Sequence, residues 1–394
     1  MPTGPIDNNL PGDLAFEVGT LEENIRVIKN PPCASKPTKS FMSSRWNPIV
    51  DRPIRFALVG CGRVAERHVE ALAACGDGTR WAAICDIDPA ARHNWSRGLD
   101  VPGYGDIDDL LRECSFDVAV LATPSGLHPE QAIRTARAGR HVLTEKPMAT
   151  RWSDGQRMVR ACDENDVGLF VVKQHRYNPA VLALKEAIEG GRFGRIYSVQ
   201  LNLFWARPQS YYDMAEWRGT WELDGGALMN QAIHYIDLLQ WLVGPVESVH
   251  AFTSTLARRI EVEDTAAMNL RWRCGALGSV TVTMLTFPQN YEGSVTIIGE
   301  HGTVRLGGVA CDRIDTWRFR EPKPQDEELE LEPWQAGDIY GSGHVPLYRN
   351  VVGLLRGTPH HLVDGHEGLK SLEIVIAAYR SAQEARRVSL PLDY

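Results

Sequence analysis

The eight cysteines of this 394-residue chain include no C-x-x-C pair; positions 33, 61, 75, 85, 114, 162, 274 and 311 are scattered. That spacing argues against a zinc framework and against a disulfide scaffold, so reduced, mostly buried thiols and no metal are expected. No apolar run approaches the roughly eighteen residues that cross a bilayer. No basic segment leading into an apolar h-region opens the chain, so no secretory leader and no membrane partner are expected, and the cytoplasm is the expected location. Cationic excess is missing as well. Lys+Arg total 42 against 50 Asp+Glu, a net charge of -8, which argues against nucleic acid as the main partner. Internal repeats are absent. What is present is 43% hydrophobic and 23% charged, the balance of a globular protein whose length calls for two domains rather than one.

Residues 1–52 mix Pro, Asn, Ser and Lys, with one short helical suggestion at Leu21–Ile28, and read as a flexible arm. From Ile54 the pattern changes. Apolar runs at Ile54–Val59, Trp81–Cys85, Asp117–Ala122, His141–Thr144 and Gly168–Val172 alternate with helical segments at Ala65–Ala74, Ile107–Glu113, Pro129–Ala138 and Trp152–Asn165. Short, continuously apolar strands between helices predict a parallel sheet covered on both faces, a doubly wound Rossmann domain over 53–174. Beyond it, strand-like segments follow one another at Ile196–Trp205, Val246–Leu256, Thr265–Trp272, Leu277–Leu285, Ser294–Ile298 and Thr303–Leu306. Helices bracket them at Pro179–Glu189, Ala227–Leu242, Tyr348–Leu355 and Gly368–Arg387. This predicts an α+β domain over 175–394 with a large, mostly antiparallel sheet, and an α/β chain overall.

Three groups of residues carry chemistry. Gly60, Gly62 and Ala65 fit G-x-G-x-x-A at a strand-to-helix turn, so Gly60, Gly62, Arg63 and Val64 are candidates to hold a dinucleotide pyrophosphate at a helix N-terminus. Asp86, ending the second strand, suits a ribose diol and repels a 2′-phosphate, which favours NAD over NADP. Thr123 and His128 follow the next strand, where ribose and nicotinamide would pass, although His128 could equally be a solvated helix-start residue. Glu145-Lys146-Pro147 closes a further strand; Pro147 keeps Lys146 out of helical geometry. A lysine there can polarise a substrate hydroxyl or relay its proton. Next, Asn230, His234 and Asp237 fall at i, i+4 and i+7, on one face of an otherwise apolar helix. His234 is the natural general base and Asp237 could orient it. Around them Lys173, Arg176, Tyr177, Asn178, Arg207, Tyr212, Trp217, Arg218 and Gln231 mix cations with aromatic rings. That mixture suits an anionic ligand carrying a ring, and it equally suits a subunit interface.

Together the glycine loop, Asp86, Glu145-Lys146-Pro147 and the Gly225-Gly226 to His234 to Asp237 helix resemble the Gfo/Idh/MocA oxidoreductases, from about residue 54 to the C-terminus. The resemblance implies a Rossmann domain followed by a sheet domain whose open face makes homodimers or homotetramers. It also implies catalysis by Lys146 and His234, with Glu145 and Lys146 beside the cofactor. Many family members carry Asp where this chain has Asn230. The run Lys173 to Pro179, with Tyr211-Tyr212, Trp217 to Trp221 and Asn230-Gln231, is similar to the branch that oxidises UDP-N-acetylglucosaminuronate at C3 for cell-surface polysaccharide synthesis. Its resemblance implies tightly held NAD and a UDP-sugar acid as substrate. The rival expectations are a dehydrogenase of a free sugar, inositol or related polyol, an NAD-dependent glycosidase, and a dinucleotide-binding sensor without chemistry.

Overall fold

The computed structural model describes residues 46–331, 343–358 and 363–392. The helical suggestion at Leu21–Ile28 lies outside them. Residues 46–52, read from sequence as the end of a flexible arm, are tied down. Trp46 stacks edge-on against His141 and Phe170, the Ile49 N–H donates to the Leu355 carbonyl at 2.8 Å, and Arg52 forms a forked pair with Asp117.

The first part of the chain alternates β1 (Ile54–Val59), α1 (Ala65–Ala73), β2 (Thr79–Cys85), α2 (Pro89–Leu99), β3 (Gly103–Tyr104), α3 (Ile107–Glu113), β4 (Val118–Leu121), α4 (His128–Arg137), β5 (His141–Thr144), α5 (Trp152–Glu164) and β6 (Leu169–Val171). The strands pair in parallel in the order β3-β2-β1-β4-β5-β6. β1 and β4 are adjacent but far apart in sequence, so the strand order reverses between them. In doubly wound sheets ligands bind outside the carboxyl ends of the strands at that point. The central strands are apolar on both faces because helices cover both; β4 is buried at every residue.

The second part comprises α6 (Pro179–Glu189), β7 (Ile196–Phe204), α7 (Gln209–Tyr212), a π-helical turn (Ala227–Ala232), α8 (Ile233–Val243), β8 (Val246–Ser254), β9 (Thr265–Trp272), β10 (Leu277–Thr283), β11 (Glu292–Gly299), β12 (Gly302–Gly307), β13 (Arg313–Phe319), α9 (Pro324–Leu331), α10 (His344–Leu355), α11 (Gly365–Glu384) and β14 (Val388–Ser389). Its eight strands run β13-β12-β11-β7-β10-β9-β8-β14, antiparallel except for β7 beside β10. β9 alternates exposed and buried residues, as one solvated face requires. α8 lies against the other face and is buried almost all round, which is why its sequence is nearly all apolar.

The two parts share their packing. Leu347, Tyr348 and Val351 of α10 join Phe56 and Leu58 of β1 in one apolar cluster, and α11 packs against both α5 and β8. Cys61, Cys75, Cys85, Cys114, Cys162 and Cys311 are free thiols. Cys274 departs from the expectation of wholly reduced cysteines: it is disulfide-bonded.

Candidate active site

β1 ends at Val59, and Gly60 turns the chain at φ 95°, where a Cβ would stand 2.7 Å from the Ala122 carbonyl carbon. Only glycine fits that approach. Gly62 has a different reason to be glycine. A Cβ there would meet no protein atom within 4 Å, so this backbone faces open space, as an approaching pyrophosphate requires. Asp86 accepts the Cys61 N–H at 2.7 Å and the Asp88 N–H at 2.8 Å. It anchors the loop while remaining partly exposed beside it. Gly60, Gly62, Arg63, Val64 and Asp86 therefore form a cradle that fits a dinucleotide, whose nicotinamide would supply the hydride acceptor. Thr123 and His128 serve the frame of this cradle. The Thr123 hydroxyl donates to Gln131, and the two ring nitrogens of buried His128 lie 2.9 Å from the Thr123 carbonyl and 3.0 Å from that of Pro147.

β5 delivers Glu145-Lys146 to the same edge. The Lys146 ammonium donates to the Asn230 main-chain carbonyl at 2.9 Å. Burial pushes its pKa below the usual lysine value, against the nearby carboxylates of Glu145 and Asp224. Glu145, expected to face the cofactor, turns inward instead. One carboxylate oxygen accepts the Lys146 N–H at 3.0 Å and the other lies 3.3 Å from the Nε2 atoms of both His344 and His68, whose Nδ1 meets the Tyr348 hydroxyl at 2.9 Å. Burial pushes this carboxyl up, but the two histidines outweigh it and hold it well below the ordinary value. The ring nitrogens and carboxylate oxygen of His68, Glu145 and His344 lie within 4.8 Å of one another. No sequence spacing announces this group, because α1, β5 and α10 bring it together only in the fold.

The third segment corrects a helical reading. Residues 227–232 wind as a π-helical turn before α8 begins, so the i, i+4, i+7 face predicted for Asn230, His234 and Asp237 does not form. Asn230 and His234 reach the cavity beside Lys146. Asp237 does not orient His234. Its carboxylate takes a forked pair from Arg176 at 2.6 and 2.9 Å and an ion pair from Lys173 at 3.5 Å, all buried. Lys173 and Arg176 are consequently committed to Asp237 rather than presented to a substrate. A buried carboxylate needs such partners. Tyr177 and Asn178 are also structural: the Tyr177 hydroxyl accepts from Asn350 at 3.0 Å, and Asn178 caps α6 through the Ala180 N–H at 3.0 Å.

The cavity has a volume of about 220 Å³ and is lined by Arg63, Lys146, Gln174, Trp205, Arg207, Tyr211, Asn230, Gln231 and His234. Gln174 presents its amide nitrogen to His234 Nε2 at 3.5 Å, a long contact that a substrate hydroxyl can replace. Burial, reinforced by the positive charge of Lys146, pushes the His234 pKa well below its usual value, so the imidazole is neutral and able to take a proton. Arg207 donates to Gln231 at 3.0 Å and lies over the Trp205 ring. Arg218 lies over Tyr211 at 4.4 Å and Trp217 at 4.6 Å, beyond the cavity mouth. Tyr212 is buried behind the site, in a crevice with Asp224 and Gly226. Sequence reading missed Gln174 and Asp224 as site residues; their only signal was adjacency to the basic run and to the glycine pair. A larger cavity of about 570 Å³, between α6, β13 and α9, is remote from the glycine loop and contains no lysine–histidine pair.

A glycine loop at the strand-order reversal, facing a lysine and a neutral histidine across a cationic cavity, defines a nicotinamide-dependent dehydrogenase. Residues 54–173 match the oxidoreductase family's NAD-binding Rossmann fold, and residues 185–390 match its C-terminal alpha/beta domain. The chain belongs to this Gfo/Idh/MocA family and is an NAD-dependent sugar dehydrogenase. It is 58% identical to the WlbA dehydrogenase from Bordetella pertussis, solved in complex with NADH and UDP-GlcNAcA, with a TM-score of 0.85 over 88% of this chain and 100% of that one. The WlbA dehydrogenase from Chromobacterium violaceum, solved with the same two ligands, is 56% identical, with a TM-score of 0.83 over 88% and 99% of the two chains. The D-apiose dehydrogenase of Paraburkholderia graminis is 27% identical over 85% of this chain and 89% of its own.

Proposed function

We propose that this protein oxidises the C3 hydroxyl of a UDP-linked N-acetylated sugar acid, UDP-N-acetylglucosaminuronate or a close analogue, to the 3-keto sugar. The observation that carries the reading is the placement of Lys146 and His234 in one cavity beside the glycine loop, in a chain 58% identical to a dehydrogenase solved with NADH and UDP-GlcNAcA. Neutral His234 takes the C3 hydroxyl proton while the Lys146 ammonium donates to the same oxygen. A nicotinamide held by the glycine loop would accept the C3 hydride, which would oxidise C3 by two electrons, while the hydroxyl proton stays on His234. At about 220 Å³ the cavity suits a sugar ring better than a whole nucleotide sugar. The nucleotide would then lie along the rim of Arg207, Tyr211, Trp217 and Arg218, where guanidinium groups suit phosphate and carboxylate and the rings offer stacking. Asn230 and Gln231 shape the cavity wall. The same reading includes a homodimer or homotetramer built on the outer sheet face, where Leu277 and Phe252 are exposed.

Melting temperature with UDP, UDP-N-acetylglucosamine and its uronic acid, each with and without NAD, tests this reading, because ligands of the native state raise it by mass action. A rise with UDP that grows with the uronic acid is expected. No rise with any UDP compound, together with a rise for a free sugar or inositol, would replace the nucleotide sugar by a free polyol.

A further inference from the structure

We infer that Asp224 is a positioning residue for the catalytic pair: through the side chain of Asn230 it fixes the main-chain carbonyl that holds the Lys146 ammonium. This rests on the dehydrogenase roles of Lys146 and His234 and not on the identity of the sugar.

Asp224 is 1% exposed, which is costly for a carboxylate unless each oxygen is satisfied. Both are. One accepts the Gly219 N–H at 2.7 Å, and the other accepts the Asn230 side-chain amide. From Asn230 the connection divides. Its main-chain carbonyl accepts Lys146 at 2.9 Å, while its side-chain oxygen accepts Gln231 at 3.0 Å, and Gln231 in turn accepts Arg207 at 3.0 Å. One buried carboxylate thus governs the residue that seats the catalytic lysine and, two hydrogen bonds further on, the arginine of the cavity wall.

Two local features make this a built arrangement. Asn230 lies in the π-helical turn, a geometry found often at functional sites, and a regular α-helix would aim its carbonyl elsewhere. Gly219 (φ 71°) and Gly225 (φ 80°) bracket Asp224, holding the loop in a conformation that side chains resist. The charge pattern agrees with the geometry. Asp224 and Glu145 act to raise the Lys146 pKa, against burial and Arg207. Asp224 itself is pushed up by burial, against the Gly219 and Asn230 hydrogen bonds and the charges of Arg218 and Lys146.

The test uses the full chain with NAD bound and lysines labelled at Cε. Only eight lysines are present, and a Lys146→Arg variant assigns the resonance. In Asp224→Asn the Lys146 titration midpoint should move to lower pH, and kcat on UDP-N-acetylglucosaminuronate should fall on the order of 10-fold to 100-fold, with KM changed much less. The exchanged variant Asp224→Asn with Asn230→Asp returns a carboxylate to the pair and should recover both readouts in large part. Asn230→Ala, which severs the link and leaves Asp224 in place, should reproduce the loss of kcat even if Asp224→Asn fails to fold. An unmoved Lys146 titration in a folded Asp224→Asn protein, or full kcat in Asn230→Ala, would overturn the inference. Absence of wild-type turnover on the nucleotide sugar would sink the substrate reading alone, because the lysine titration needs no substrate.

Discussion

His234 sits among cationic and titratable neighbours. Burial, then Lys146, His175, Lys173 and His344, all push its pKa down. A histidine below its pKa already carries the proton it must receive, so lowering the pKa extends activity toward acid. The acid limb of kcat/KM should therefore lie below the ordinary histidine value of 6.5. His175→Phe, which keeps a ring against His234 and removes one of these neighbours, should move that limb upward. His234→Ala should lower the hydride-transfer step by roughly 10²–10⁴-fold in single turnover while NAD affinity is unchanged. An acid limb above the ordinary value, or full turnover in the alanine variant, would remove His234 as the base. The sequence singled out Lys146 and His234 from their strand-end and helix context, and the structure brings both to one cavity. Asp237, Lys173 and Arg176 were misread, because a buried ion-pair knot and a substrate site draw on the same residue types. The meeting of His68 and His344 on Glu145 depends on contacts between distant segments and left no local pattern.

At the scale of the element, the π-helical turn places Asn230, and Glu263 supports its start. The Glu263 carboxylate accepts the Leu228 N–H at 2.8 Å and the Tyr379 hydroxyl at 3.0 Å. A Cβ on Gly226 would stand only 1.7 Å from it, so the glycine pair makes room for the carboxyl. Burial pushes the Glu263 pKa up from 4.5 to about 7. A carboxyl whose pKa is higher folded than unfolded stabilises the fold below the unfolded value, and that stability is lost as pH rises through the folded one. Glu263→Gln mimics the protonated form. Relative to wild type it should therefore gain stability between about pH 4.5 and 7, by up to about 3 kcal/mol, in denaturant unfolding. Parallel pH profiles for the two proteins would contradict this. Long, strongly patterned elements such as β1 and β9 were readable from sequence. α2 showed only its start, the Asp88 cap before Pro89, since it buries no residue and carries no apolar stripe, and β3 and β14 are only two residues each.

For the whole molecule, the junction between the two parts is a core rather than a hinge. Lys173 and Arg176 leave β6, Asp237 lies in α8, and Ser371 of α11 accepts Lys173 at 2.7 Å. Asp237→Asn strands two buried cations and should cost about 3–5 kcal/mol of stability. Calorimetry checks the cost, and activity per folded molecule should fall far less than in His234→Ala. Loss of chemistry at unchanged melting temperature would return Asp237 to the mechanism. The return of α10 onto the first sheet was invisible in the sequence, because an apolar helix does not announce which sheet it will cover. A single turnover with UDP-N-acetylglucosaminuronate deuterated at C3 shows which hydrogen moves. One deuterium in the reduced cofactor and a ketone at C3 of the sugar are expected. Reduced cofactor without deuterium, or reduction only by a free sugar or polyol, would contradict the proposed oxidation at C3.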